Sequence, residues 1–189
     1  MLKKYRPVLD LNDPFVAISS DWTHVFKTGN QRSAIPVFSN KIAPCRHAWT
    51  MTTPAGKPLK KKNMPAIMAA HQIPYAASAC ACFPDDLRQK ISVAKKIKGM
   101  KYIHILSPCP TGWRFPEELT PNVGRLAVET NYYPLYEIRN GREYTINYQS
   151  KGLPEEYLLL QGRFQHLSEA DLKAVQAEVD RNWNELQAK

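Results

Sequence analysis

Lys101-Tyr102-Ile103-His104-Ile105-Leu106-Ser107 runs without a break into Pro108-Cys109-Pro110-Thr111-Gly112-Trp113-Arg114-Phe115-Pro116. The first half is an apolar, β-rich run of the length of a buried strand. The second half cannot continue it. A proline lacks a backbone donor and pushes the residue before it toward extended geometry. Cys109, held between two prolines, is therefore excluded from a helix interior and belongs to a rigid loop just past the strand's C-terminal end. In open α/β sheets that end is where ligands bind. On spacing alone, an inert structural thiol is the commoner role for such a cysteine.

Outward from this stretch the pattern alternates. Residues Asp85 to Lys98 read as an amphipathic helix with Leu87, Ile91, Ala94 and Ile97 on one face, Pro84 ahead of it and Gly99 to stop it. Tyr75 to Ala79 reads as a strand, and Met64 to His71 as a short helix that tolerates Pro65 in its first turn. Phe15 to Ser19 is a further short buried strand. Strands separated by helical segments predict an α/β fold with a mainly parallel sheet and helical crossovers. The intervening residues, 20–62, are irregular and rich in Pro, Thr and Lys, and loops that long are usually functional or mobile.

The C-terminal part follows another rule. Tyr136 to Arg139 and Glu143 to Tyr148 flank Asn140-Gly141, a dipeptide that supplies positive φ at both turn positions and so predicts a hairpin. Ser168-Glu169-Ala170-Asp171 has the form of a capping box and opens a helix. Its stripe of Leu172, Val175, Val179, Trp183 and Leu186 is assigned to core packing. Residues 1–189 are expected to form a single domain closed by this hairpin and helix.

Composition bounds the function. The 189 residues are 43% apolar, ordinary for a globular chain able to bury a core. No run approaches the roughly 20 apolar residues that span a bilayer, and the basic N-terminus leads into Asp10 and Asp13 rather than an apolar signal core, so a cytoplasmic protein is expected. Cys45, Cys80, Cys82 and Cys109 are too few and too irregular for a secreted disulfide framework. The net charge of +9 comes from 26 basic against 17 acidic residues, densest at Lys57 and Lys60-Lys61-Lys62. That cluster lacks interleaved aromatics and makes a poor nucleic-acid patch. A solvated loop or a dock for an acidic partner fits it better.

Candidate chemistry is sparse when read residue by residue. Cys80 and Cys82 lie two apart, so an extended backbone would point both to one face, where they could join Cys109 and Cys45 around zinc or iron. Cys-x-Cys is a poor metal spacing, and small core cysteines explain the pair better. His104 is expected to be a satisfied strand residue, and His24, near Thr28, is the histidine to test for ligand contact. No Ser-His-Asp or paired-carboxylate signature supports a hydrolase.

Several stretches, taken in order, carry a family resemblance. They are Thr28-Gly29-Asn30-Gln31-Arg32-Ser33 with Pro36, the Thr-rich Trp49 to Lys57, Asn63 to Tyr75, the cysteine loop Pro108 to Pro116, Gly124 to Thr130 with Tyr133 to Glu137, and Glu155 to Phe164. Together they cover roughly residues 15–167 and resemble the β subunit of the pyruvate:ferredoxin oxidoreductases, of the wider 2-oxoacid:ferredoxin oxidoreductase family. The resemblance implies the C-terminal half of a thiamine-diphosphate-binding fold, with Thr28 and Gly29 beside the cofactor. It implies that Cys109 is one of four thiolates on a four-iron cluster, a soft ligand of the kind such clusters need. It also implies oxidative decarboxylation of a 2-oxoacid to acyl-CoA, with other subunits and ferredoxin as partners and no role for nucleic acid or membrane.

Two departures qualify those implications. The Cys-x-x-Cys pair and the magnesium-binding Gly-Asp-Gly of the family's upstream half do not occur in this sequence. Trp22 and Lys27 stand where the family pattern has asparagines, and an indole offers no oxygen to magnesium. Thiamine diphosphate, magnesium and the cluster are therefore expected in the family complex, with none bound by this chain alone and no activity from it in isolation. The alternative expectation is a cofactor-free interaction or assembly subunit, or an inactive gene fragment.

Overall fold

The computed structural model describes residues 62–150, 152 and 154–189, together with the backbone of 16–19. Five strands form one sheet in the order β1-β3-β2-β4-β5, where β1 is Val16–Ser19, β2 Tyr75–Cys80, β3 Lys101–Leu106, β4 Tyr136–Arg139 and β5 Glu143–Ile146. β3 runs parallel to both β1 and β2, and β2 pairs antiparallel with β4, which turns back into β5. The expected parallel α/β core is present, and the expected hairpin extends it from the β2 side. Asn140 and Gly141 take φ values of 51° and 72° at the hairpin turn, the positive pair that a two-residue turn of this kind requires.

The central strands are buried along their whole length because both faces are covered. Side chains alternate across a strand, so Tyr75, Ala77 and Ala79 face one way with Ile103 and Ile105. There they meet Leu87 and Ile91 of helix α2, Pro84–Lys96, the expected amphipathic helix, and Ile97 just past its end. Ala76 and Tyr102 face the other way, toward Met68 and Ala69 of helix α1, Met64–Ala70, and toward Trp183 and Leu186. The last two belong to helix α6, Glu169–Gln187, whose N-terminus carries the full capping box of Ser168 with Asp171. Its apolar stripe packs in the core, as expected. Three alanines in β2 let the helices approach the sheet closely.

Three helices carry no clear signal in the sequence: α3, Pro110–Trp113, α4, Thr120–Glu129, and α5, Pro154–Leu159. They pack with the start of α6 around Trp113, Phe115, Val123, Tyr157 and Phe164, a core cluster reached by Cys80 and Leu106 at the strand ends. Among the described residues, two lysines are also buried. Lys101 donates to the carbonyl of Ile97 (2.8 Å), satisfying an acceptor at the end of α2. Lys90, inside α2, donates to the Ser78 carbonyl at 2.7 Å and to Asp86 at 2.8 Å. No helix among the described residues is long and apolar enough to cross a membrane.

Candidate functional site

The C-terminal ends of β2 and β3 lie side by side, and the chemistry-bearing residues gather there. Beyond β3, Cys109 is half-buried and caps α3: its sulfur accepts from the Gly112 amide at 3.4 Å, and its carbonyl accepts from Trp113 at 2.9 Å. The rigid loop expected from the sequence is, in the structure, a one-turn helix. Pro110 occupies the first helical turn, where its missing N–H is not needed and its fixed φ suits the helix. Cys109 itself remains extended, as its flanking prolines require, with φ of −116° and ψ of 102°.

Beyond β2, the strand stops at Cys80 and a turn follows, so Cys80 and Cys82 are not related by strand alternation. Both thiols nonetheless address α4. The Cys80 sulfur lies 3.6 Å from the Gly124 carbonyl and that of Cys82 lies 3.7 Å from the Thr120 carbonyl. Cys80 is fully buried and fits the core-cysteine reading, whereas Cys82 sits half-exposed at the rim. The approach of α4 depends on Gly124: a Cβ there would fall 2.2 Å from the Cys82 sulfur and 3.2 Å from Pro108.

The two thiols differ in acidity. The hydrogen bond with Cys80 holds the Cys82 thiol down to about 7; burial opposes this and the Arg125 charge assists it. Its hydrogen bond to Cys82, and then burial, push the Cys80 thiol up. Alkylation of Cys82 is therefore expected to rise with a midpoint near pH 7 while Cys80 stays unreactive, a contrast that peptide-resolved mass spectrometry after labelling at stepped pH will show. The linkage has the sign of a lowered pKa. The Cys82 contribution is present above the ordinary thiol range and is lost as pH falls through about 7, while the raised Cys80 thiol acts with the opposite sign as pH rises past that range.

His104 is buried on β3, its ring 5.7 Å from that of Tyr133, whose hydroxyl donates to the His104 carbonyl at 2.8 Å. It is a packed strand residue, as expected. Thr28, Gly29, His24, Trp22, Lys27 and Cys45 lie outside the described residues, as do Lys57, Lys60 and Lys61. No group of three His, Cys, Asp or Glu among the described residues is arranged to hold a metal ion. Among the described residues, Cys109 lies half-buried just beyond the end of β3 with the Gly112 amide directed at its sulfur.

Sequence reasoning misses Arg163, which the structure buries against Trp113 beside the cysteine loop. Its position in a Gly-Arg-Phe turn carries no local signal of that contact.

No family model matches the chain. Curated relatives do. It is 45% identical to pyruvate synthase subunit PorB of Methanocaldococcus jannaschii over 81% of this chain and 51% of the relative. It is 41% identical to ketoisovalerate oxidoreductase subunit VorB of Pyrococcus abyssi over 84% of this chain and 51% of that one. With pyruvate synthase subunit PorB of Methanothermobacter marburgensis, identity is 42% over 98% of this chain and 64% of that one. The chain thus spans about half to two thirds of the length of these relatives.

Proposed function

We propose that this chain, a relative of the β subunits of the pyruvate and ketoisovalerate:ferredoxin oxidoreductases, supplies part of a cytoplasmic enzyme of that kind. The assembly would oxidatively decarboxylate a 2-oxoacid to acyl-CoA and pass the electrons to ferredoxin. The observation that carries the reading is the placement of Cys109 at the end of β3, half-exposed, with the Gly112 amide on its sulfur. Thiamine diphosphate, when bound, supplies the electron sink for decarboxylation, and the protein orients it and conducts electrons away. In this reading Cys109 holds one thiolate ready for a four-iron cluster, and the other three ligands come from the rest of the assembly. Thr28 and Gly29 would lie beside the diphosphate, where hydroxyl and amide donors suit an anion. The lysines of residues 57–62 would face an acidic protein such as ferredoxin.

A second reading, a cofactor-free interaction or assembly subunit or an inactive remnant, is favoured by Trp22 and Lys27, neither of which can replace an oxygen ligand to magnesium. Anaerobic co-expression with the chains encoded beside it separates the two. The proposed function expects ferredoxin reduction that requires a 2-oxoacid, coenzyme A and this chain. Full reduction by the other subunits without this chain would overturn it.

A further inference from the structure

We infer that Arg163 is a positioning residue for Cys109, fastening the one-turn helix that this cysteine caps to the C-terminal part of the chain. Arg163 is 3% exposed, and its guanidinium carbon lies 3.9 Å from the centre of the Trp113 ring and 4.7 Å from that of Phe164. Its Nε donates to Gln161 (2.9 Å) and its Nη2 to the Tyr157 hydroxyl (3.1 Å), which fixes the plane that stacks on the indole. A lysine cannot reproduce a flat, forked cation of this kind.

The neighbouring backbone adds a second fastening. The Gly162 amide donates to the Arg114 carbonyl at 2.8 Å, and a Cβ on Gly162 would fall 2.8 Å from the Arg114 Cβ. Arg114 takes φ of 59°, a left-handed conformation that ends α3 and that a non-glycine residue adopts only when its surroundings impose it. Trp113 and Arg114 are thus gripped on both side chain and backbone. Trp113 in turn closes the helical turn on the Cys109 carbonyl at 2.9 Å, so the grip sets where the sulfur lies.

The inference deepens the ligand role proposed for Cys109 and rests on it for its consequence in electron transfer. Its test needs no cluster. The full chain, reduced and metal-free, is labelled with iodoacetamide, and alkylation rates of Cys109 and Cys80 are followed by peptide-resolved mass spectrometry in Arg163→Gln, Arg163→Lys and Trp113→Phe variants. Loss of a desolvated cation–π contact is expected to speed Cys109 labelling roughly tenfold in Arg163→Gln, with little rescue by lysine and a smaller rise in Trp113→Phe. Cys80, buried on β2, stays protected.

The variants that keep Cys80 protected decide the matter, and an unchanged Cys109 rate in them overturns the inference. Cys80 opening together with Cys109 in all three would make Arg163 a general core residue, which also overturns it. The ligand role fails separately, through iron content when Cys109 itself is replaced.

Discussion

Cys109→Ala is expected to remove most of the cluster iron and ferredoxin reduction from the anaerobically assembled complex while leaving this chain folded. The two halves of that expectation have separate causes. A four-iron cluster held by four thiolates has no spare ligand, and alanine offers no donor to iron. The folded state loses little, because the sulfur is half-exposed and its one capping contact, to the Gly112 amide at 3.4 Å, is a weak acceptor on a single turn of helix. Losing a weak cap costs about 0.5 kcal/mol. Iron analysis and the visible cluster absorbance of wild type and variant, with thermal melts of both, check the prediction. Equal iron in the two would end the ligand role.

The elements that are legible in the sequence share one property: their signals are local. Asn140-Gly141 dictates its own turn, Ser168 and Asp171 cap one another, and α2 shows an unbroken apolar face ahead of a glycine stop. The alternation of these elements is enough to order a parallel core. Helix α4 escapes such a reading for a physical reason. Gly124 lies in its middle, where glycine costs about 1 kcal/mol against alanine and blurs the helical pattern. The gain that offsets this cost is tertiary: without a Cβ, the helix can come down on Cys82 and Pro108, two residues from other parts of the chain. Helix α3, only four residues long, has no room for a periodic signal.

The candidate site is legible to the extent that a single residue can announce it. Two prolines and a preceding strand locate Cys109, and the structure keeps it at the strand end. What grips it cannot be read in this way, because Arg163 lies far along the chain and meets Trp113 only through the fold. Cys80 and Cys82 show the complementary difficulty. Their spacing suggests an extended dyad, yet the strand ends between them, so one thiol is core and the other rim.

Lys90 is equally hidden, since a lysine within a helix rich in charged residues reads as exposed. Its burial supports the second large expected effect. Asp86→Ala should destabilise the fold by about 3 kcal/mol at neutral pH, because it removes the carboxylate from an ammonium with no solvent exposure and leaves the Ser78 carbonyl as its remaining acceptor given by the geometry. Burial already lowers the Lys90 pKa, and Asp86 is the chief group holding it up. Without Asp86 the folded state releases that proton more readily still.

Between the lowered value and the ordinary lysine range, the unfolded chain then binds more protons than the folded one, so stability rises with pH. The deficit of Asp86→Ala relative to wild type should therefore shrink as the solution is made alkaline. Combining it with Lys90→Met, which fills the same space without charge, should recover most of the loss at neutral pH. Urea unfolding of the single and double variants at neutral and alkaline pH measures all three differences. A deficit independent of pH, or undiminished in the double variant, would mean that the Lys90 charge is not what Asp86 compensates.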